Sequence, residues 1–251
     1  WSEFCDWYIE ACKIRLYGED TPQGRAQRAT AQVTLVTVLD RALRLLHPYV
    51  PFVTEEMWQH LKAASPGGKL WPESLMICPW PGVDEAQVDD EAEADMALLM
   101  DLIRQMRNAR AEFNVTPGKR IPAIVVGGHK LEMLKAQRGL LTFLAKVDDA
   151  RLTLSRALGE KPQKAVALVA TEGVEAYLPL AGLVDLEQEM ARLRKALAEA
   201  KREIEHAEGM LANENFTTRA APHVIQQQRD RLAEQRERHK RLEAWLQALE
   251  A

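Results

Sequence analysis

The chain has 251 residues, of which 47% are hydrophobic and 28% charged, and its formal net charge is −4. This length allows two or three domains with buried cores, and no apolar run approaches the roughly 18 residues that a membrane span needs. The three cysteines lack CxxC spacing, which argues against a disulfide framework or a zinc site and favours a reducing cytoplasm. The net charge does not by itself indicate a nucleic-acid partner, so the evidence for or against one has to come from the distribution of charge along the chain.

The first part of the chain has the periodicity of one-sided helices. One helix is predicted over residues 1–17, a second from near Pro22 to Leu46, and a third that Thr54 caps and that ends near residue 61. An acidic segment, residues 84–95, then leads into a long helix that reaches about residue 113. Together these segments predict a helical bundle over residues 1–116. Because the chain begins with Trp1 and not with Met, we expect it to be part of a longer protein.

The pattern changes to alternating strands and helices after Pro117. The segment IPAIVVGG reads as a strand, residues 129–147 as a helix, and ARLTLS as a second strand. The segments KAVALVA and VEAYLPL follow as a hairpin that turns around Glu172 and Gly173. We therefore expect a small α+β unit with a mixed sheet over residues 117–182.

The last segment, residues 183–251, has the strict three- and four-residue alternation of coiled-coil seams. The first seam comprises Leu183, Leu186, Met190, Leu193, Leu197, Ala200, Ile204, Ala207 and Leu211. The second comprises Ile225, Gln228, Leu232, Gln235, His239, Leu242, Leu246 and Leu249. The two helices can pair only if the chain reverses between them, so NENFTTRAAP, residues 213–222, is predicted to be the tip of an antiparallel hairpin. The fold class is thus mainly α, with a helical bundle, a small α+β unit and a C-terminal coiled-coil hairpin.

Few residues of the sequence suggest catalysis. The glycines of GGHK, residues 127–130, follow a predicted strand but lack the spacing of a phosphate loop or a dinucleotide fingerprint, so a tight turn is the better interpretation. The six histidines are scattered, and a seam histidine such as His239 more often fixes the register of a coiled coil than binds a ligand. We predict no catalytic residue and no metal ligand in this chain.

Cationic and amide side chains concentrate near the end of the fourth predicted helix. The candidates for binding RNA there are Arg104, Arg107, Asn108, Arg110 and Lys119. Guanidinium groups bind phosphates and stack on unpaired bases. The alternative is that these arginines pair with Glu112 and the acidic segment, and stabilise the negative C-terminal end of their own helix. The residues alone leave the two interpretations about equal.

A second group of cations crowds one half of the last predicted helix. Its members are Arg229, Arg231, Arg236, Arg238, Lys240 and Arg241, and they could follow a phosphate backbone. The alternative is a solvated face with Glu–Arg pairs, as on many coiled-coil flanks. At the predicted tip, Phe216 would either plug the end of the seam or stack on a base, and Arg219 is the tip residue best suited to meet phosphate.

Four segments of the chain resemble the C-terminal third of bacterial valyl-tRNA synthetases. They are WSEFCDWYIEACK, LHPYVPFVTEEMWQHL, IRQMRNARAEFNVTPGK and LANENFTTRAAP. The second is shared among class I synthetases for valine, isoleucine and leucine, whereas the last resembles the arm of the valine family in particular. The resemblance extends from one end of the chain to the other.

The resemblance implies an anticodon-binding domain that lacks its first helices, a junction, and a coiled-coil arm that reaches the elbow of valine tRNA. It also implies that the catalytic and editing domains, with the ATP and Mg²⁺ that the former uses, belong to an upstream part of the polypeptide, because no HIGH-type or KMSKS-type motif occurs in this chain. We therefore expect a cytoplasmic, non-catalytic, monomeric tRNA-binding segment. On this view Arg229, Arg231 and Arg236 face the elbow, with Arg219 and Phe216 at the tip, and the helix-end candidates face the anticodon. The alternative is a coiled-coil adaptor that binds a protein partner.

Overall fold

The fold is described from a computed structural model. The structure describes residues 2–160, 162–179, 186–213, 218 and 220–250, without the side chains of residues 186, 188, 189 and 248. The chain divides into two compact units, Trp1–Glu93 and Ala94–Ala251. The fold class expected from the sequence is confirmed: the structure is mainly helical and has one small mixed sheet.

The first unit contains three α-helices, α1 (Ile9–Leu16), α2 (Pro22–Leu46) and α3 (Pro51–Ala64). A π-helical segment, Glu3–Tyr8, runs directly into α1, so the predicted first helix is present but begins with wider turns. The centre of the unit is a cluster of fully buried side chains against which four further residues pack: Leu43, Trp58 and Leu75, then Leu39, Leu61, Trp71 and Cys78.

The predicted capping role of Thr54 is wrong. Helix α3 begins one turn earlier, at Pro51, where the missing N–H of proline costs nothing. Thr54 is buried inside the helix, and its hydroxyl donates to the main-chain oxygen of Val50 at 2.9 Å and interacts with Nδ1 of His47 at 2.8 Å. Its polarity is therefore satisfied locally, within the turn that joins α2 to α3.

The second unit combines helices with a four-stranded sheet. Its elements are α4 (Asp90–Glu112, whose first turn precedes the unit boundary), β1 (Ile121–Val126), α5 (Leu131–Ala136), α6 (Arg138–Ala145), β2 (Val147–Ser155), β3 (Ala165–Val169), β4 (Glu175–Pro179), α7 (Leu186–Ala212) and α8 (Pro222–Glu250). The sequence predicted one helix over residues 129–147, whereas the structure has α5 and α6, separated at Gln137. Helix α4 bonds to the sheet, because Gln105 donates to the main-chain oxygen of Val169 at 2.9 Å.

The sheet has the strand order β2-β1-β4-β3. Strands β1 and β2 are parallel and are joined through α5 and α6, whereas β4 pairs antiparallel with both β1 and β3. The register of β1 against β2 shifts between Ile121 and Ala123, at Pro122, which has no N–H to donate to a sheet ladder. The predicted β3–β4 hairpin is confirmed, and both Glu172 and Gly173 in its turn have positive φ angles.

Helices α7 and α8 pair along their length as the predicted antiparallel hairpin. Arg194 near the start of α7 bonds to Glu250 at the end of α8, whereas Glu208 near the end of α7 bonds to Arg236 in the first half of α8. The described seam positions are buried or half-buried, and Leu193, Ala200 and Leu242 are among the most buried. Leu183 and the side chain of Leu186 lie outside the described residues, so their seam positions stay predictions.

Candidate nucleic-acid interface

Arg110 is the best-buried charged side chain of the predicted anticodon-side group, with an exposed fraction of 6%. Its guanidinium donates to four main-chain oxygens, those of Lys119 at 2.8 Å, Lys146 at 3.2 Å, Thr116 at 3.3 Å and Pro117 at 3.4 Å. Burial lowers the pKa of this guanidinium. Since its donors are directed at carbonyl groups, of which those of Thr116 and Lys146 also accept from main-chain N–H groups, Arg110 joins the end of α4 to the loop after it and to the start of β2.

Two neighbouring arginines also donate to carbonyl groups at the C-terminal end of α6 and at the first residue of β2. Arg107 Nε donates to the oxygen of Leu144 at 2.9 Å, and Arg120 Nη1 donates to the oxygens of Val147 at 2.8 Å and Thr142 at 3.3 Å. The last carbonyls of a helix have no partner within it and carry its negative dipole end, so cations stabilise this position. The sequence placed the arginines near a helix end correctly, but the end that Arg107 binds belongs to α6 and not to α4.

The remaining members of the group present more of their polar atoms to solvent. Arg104, Asn108 and Lys119 are exposed. Asn108 lies on a different face of α4 from Arg107 and Arg110, because its side chain lines a cavity beside the arm. Of the predicted group, Arg110 alone is buried, and Arg107 and Arg110 are the two members whose guanidinium groups donate to the main-chain carbonyls described above.

In the arm, two of the predicted RNA-binding arginines form ion pairs between the helices. Arg231 bonds to Glu203 at 2.5 Å and Arg236 bonds to Glu208 at 2.6 Å. Both pairs are about half-exposed, with side-chain exposures of 52%/46% and 59%/45%. Exposed pairs of this kind contribute only about 0–1 kcal/mol, so each arginine could exchange its glutamate for a phosphate at small cost.

Three further cations of α8 have no such partner. Within the described part of the chain, the side chains of Arg229, Arg238 and Lys240 make no hydrogen bond or ion pair, and Arg229 and Lys240 are exposed. With 3.6 residues per turn, Arg229, Arg236 and Lys240 lie along one side of α8, and Arg231 and Arg238 lie along another. The arm therefore carries paired and unpaired cations on two sides of this helix. Arg219 and Phe216 lie outside the described residues, and their roles stay predictions.

The base of the arm forms a cavity of about 440 Å³ with α4 and β3. Trp245 of α8 is buried in its wall and packs on Phe113, with ring centroids 5.0 Å apart. Arg241 lies over the Trp245 ring at 5.7 Å, and Arg192 of α7 donates to the main-chain oxygen of Glu112. These contacts anchor both helices of the arm to the end of α4.

Two other kinds of feature, a membrane-spanning helix and a cluster of metal ligands, are absent from the described residues. None of the helices there is both long enough and apolar enough to cross a bilayer. Nor do three or more histidine, cysteine, aspartate or glutamate side chains of the described residues come together in a way that could hold a metal ion.

Comparison with known proteins assigns both ends of the chain. Residues 1–125 match the family described as the anticodon-binding domain of tRNA ligase, and residues 185–250 match the valyl tRNA synthetase tRNA binding arm. The chain belongs to the valyl-tRNA synthetase family. It is 37% identical over 250 residues to the valine–tRNA ligase of Thermotoga maritima and 40% identical over 253 residues to that of Syntrophotalea carbinolica, in each case over 100% of this chain. The Bacillus subtilis valine–tRNA ligase is 36% identical over 92% of it.

The chain spans about a quarter of the length of these relatives, 26% of the Thermotoga enzyme and 27% of the Syntrophotalea enzyme. The resemblance found in the sequence is therefore confirmed: the chain is the part of a valyl-tRNA synthetase that carries the anticodon-binding domain and the arm. The arm match covers α7 and α8, the hairpin whose cations are described above. The anticodon-binding match covers α1 to α4 and most of β1.

Sequence reasoning missed the residues at the base of the arm. Arg192 and Trp245 have no role in the seam pattern, and the role of Arg241 as a group held over Trp245 does not follow from its charge. One signal was available, since a tryptophan one position before a seam residue, here Leu246, is unusual on an otherwise polar flank. Its partner could not be found from the pattern, because Phe113 lies 132 residues earlier in the chain.

Proposed function

We propose that this chain binds valine tRNA and positions it for a catalytic domain in another part of the same protein. The anticodon-binding domain would hold the anticodon stem-loop, and the arm would hold the elbow. Binding two separated parts of one rigid RNA fixes its orientation, and this allows the acceptor end to reach a distant active site.

The observation that carries this proposal is the group of cations on α8, in a segment that matches a tRNA-binding arm. Arg229 and Lys240 are exposed and have no carboxylate partner among the described residues, and Arg231 and Arg236 have only half-exposed partners. Arg229, Arg236 and Lys240 lie along one side of the helix, which suits the binding of an RNA phosphate backbone and the release of its counterions. We propose Arg104 and Lys119 as the corresponding contacts on the anticodon side. We leave out Arg110, because its donors bind carbonyl groups, and Asn108, because it lines the cavity beside the arm.

The test is a titration of labelled valine tRNA with the chain over a series of salt concentrations. We expect the logarithm of the binding constant to fall linearly with the logarithm of the salt concentration. The double variant Arg229→Ala/Arg231→Ala should reduce the magnitude of this slope by roughly 0.7–0.9 for each lost phosphate contact. Arg156→Ala is the matched control, because Arg156 is exposed directly after β2 and has no partner among the described residues. Undetectable binding of the unmodified chain, or a slope that the double variant leaves unchanged, would contradict the proposal.

Several properties of the complete protein belong to the same proposal. We propose that it joins valine to tRNA with ATP and Mg²⁺ bound in its remaining part, that it is attached there to catalytic and editing domains, and that it works in the cytoplasm as a monomer. The relatives are named valine–tRNA ligases, which supports the reaction. The adaptor alternative has less support, since the apolar seam is already closed within the hairpin and contains Gln228 and Gln235, which tethering tolerates better than dimerisation does.

A further inference from the structure

The cavity at the base of the arm contains polar side chains that the fold itself does not use. Within the described part of the chain, the amide of Asn108, the carboxylate of Glu112 and the guanidinium of Arg241 make no hydrogen bond or ion pair. All three line the same cavity. Its volume of about 440 Å³ falls in the range of roughly 300–1,000 Å³ that is usual for small-molecule sites.

The wall of the cavity places one of these groups by packing and the other two by their spacing on a helix. Arg241 lies over the ring of Trp245, which is itself only 4% exposed and packs on Phe113. Asn108 and Glu112 are four residues apart on α4 and so project from the same face of that helix. The guanidinium of Arg241 offers donors, the carboxylate of Glu112 offers acceptors, and the amide of Asn108 offers both. All three groups border one space.

This combination selects among ligands. A phosphate group needs donors only, which Arg192 and Arg241 could supply, but it would leave the Glu112 carboxylate without a donor. An unpaired guanine base needs both donors and acceptors from the protein. Its N7 and O6 accept from the guanidinium of an arginine, and its ring N–H and amino group donate to a carboxylate. Adenine presents an amino group where guanine has O6, so it matches the arginine poorly.

We propose that the arm-base cavity binds an unpaired guanine of RNA, with Arg241 at its O6/N7 edge, Glu112 at its N–H edge and Asn108 as an additional hydrogen-bonding group. Single-stranded positions of RNA are the ones whose base edges are free to be read in this way. The inference rests on the proposed function, because it is the match to a tRNA-binding arm that makes RNA the relevant ligand.

The test uses guanosine 5′-monophosphate (GMP) as a probe of the cavity in the complete chain, with binding measured by calorimetry at millimolar concentrations. Adenosine 5′-monophosphate and inosine 5′-monophosphate carry the same phosphate and serve as controls. We expect GMP to bind roughly tenfold more tightly than the adenosine compound. The inosine compound should fall between them, because it lacks only the amino group of guanine. Equal affinity for all three compounds would overturn the proposal and would indicate a phosphate site, and so would the absence of GMP binding.

Glu112→Gln should reduce the preference for GMP over the adenosine compound roughly tenfold. Glu234→Gln is the matched control, because Glu234 is an exposed residue of α8 outside the cavity and loses the same charge. If Glu112→Gln does not fold, as judged by circular dichroism, Asn108→Ala is used in its place. We expect Asn108→Ala to reduce the preference for GMP over the adenosine compound severalfold. Unchanged selectivity in the variant that folds would contradict the assignment.

Titration of valine tRNA with the same proteins separates this inference from the proposed function. If the unmodified chain binds tRNA but not GMP, the cavity assignment is wrong and the proposed function stands. If it binds no tRNA, the proposed function fails whatever GMP does.

Discussion

Replacing Arg110 by methionine tests whether this arginine is part of the fold or part of the RNA interface. The substitution keeps an unbranched apolar stem but removes all the donors of a side chain that is 6% exposed. Four main-chain oxygens lose a charged donor, and the two that are bound most closely are those of Lys119 at 2.8 Å and Lys146 at 3.2 Å.

The expected cost follows from those bonds. Hydrogen bonds to charged groups contribute about 1.5–3 kcal/mol each. Counting only the two closest bonds, at the lower limit, gives a loss of about 3 kcal/mol in the free energy of unfolding. This corresponds to roughly a hundredfold change in the equilibrium between closed and open forms. The loss should fall on the segments that the guanidinium joins to the end of α4, which are the loop that leads into β1 and the turn between α6 and β2.

Hydrogen–deuterium exchange read by mass spectrometry is the assay, since the two compact units need not unfold together. Peptides from the loop that leads into β1 and from the turn between α6 and β2 should exchange roughly a hundredfold faster in Arg110→Met than in the unmodified chain. Arg156→Met, at an exposed position with no partner among the described residues, should change stability by less than about 0.5 kcal/mol. A loss below about 1 kcal/mol in Arg110→Met would refute the structural role. So would a large loss of tRNA affinity with unchanged exchange.

Three further predictions concern other named contacts. Replacing Glu203 and Glu208 together by glutamine releases Arg231 and Arg236 from their half-exposed pairs. We expect it to change stability by less than about 1 kcal/mol per pair and to strengthen tRNA binding in anisotropy titrations, whereas weaker binding would mean that the pairs hold the arginines in the binding geometry. Trp58→Phe removes the 2.7 Å bond from its indole N–H to Asp40 and should lower the urea-unfolding free energy by about 2 kcal/mol, and a change near zero would contradict that bond. Burial alone would raise the pKa of Glu55, but bonds from Gln59, Ser74 and the main chain of Leu75 lower it overall. A carboxyl whose pKa is lower in the folded than in the unfolded protein stabilises the fold at pH values above its unfolded pKa, about 4.3. This stabilisation is lost as the pH falls through the folded-state pKa. Thermal melts below about pH 4.3 should therefore show a steeper loss of stability in the unmodified chain than in Glu55→Gln.

Periodicity predicted the helices and strands whose buried face can be recognised from the spacing of apolar residues within one segment of sequence. The bounds of α2, the β3–β4 hairpin and both seams follow from spacing alone, because a helix or strand with one apolar face needs no knowledge of its partner. The capping of α3 failed for a local reason, since proline at residue 51 started the helix one turn before the threonine at residue 54.

The candidate site was harder to predict, because charge spacing does not show what a cation faces. Arg104, Arg107 and Arg110 are equally spaced on α4, yet Arg110 is buried and Arg107 bonds to Leu144 of α6. Only the packing of α4 against the sheet separates them. The arm-base cavity likewise requires α4, β3, α7 and α8 to meet, and no single segment contains that information.

A hydroxyl-radical footprint of valine tRNA bound to the unmodified chain tests the central claim most directly. The claim is that one polypeptide holds the RNA at two separated places, the anticodon loop and the elbow. We predict protection of both regions, with the elbow protection reduced in Arg229→Ala/Arg231→Ala and the anticodon protection retained. Protection of neither region, or equal loss of both in that variant, would contradict the account.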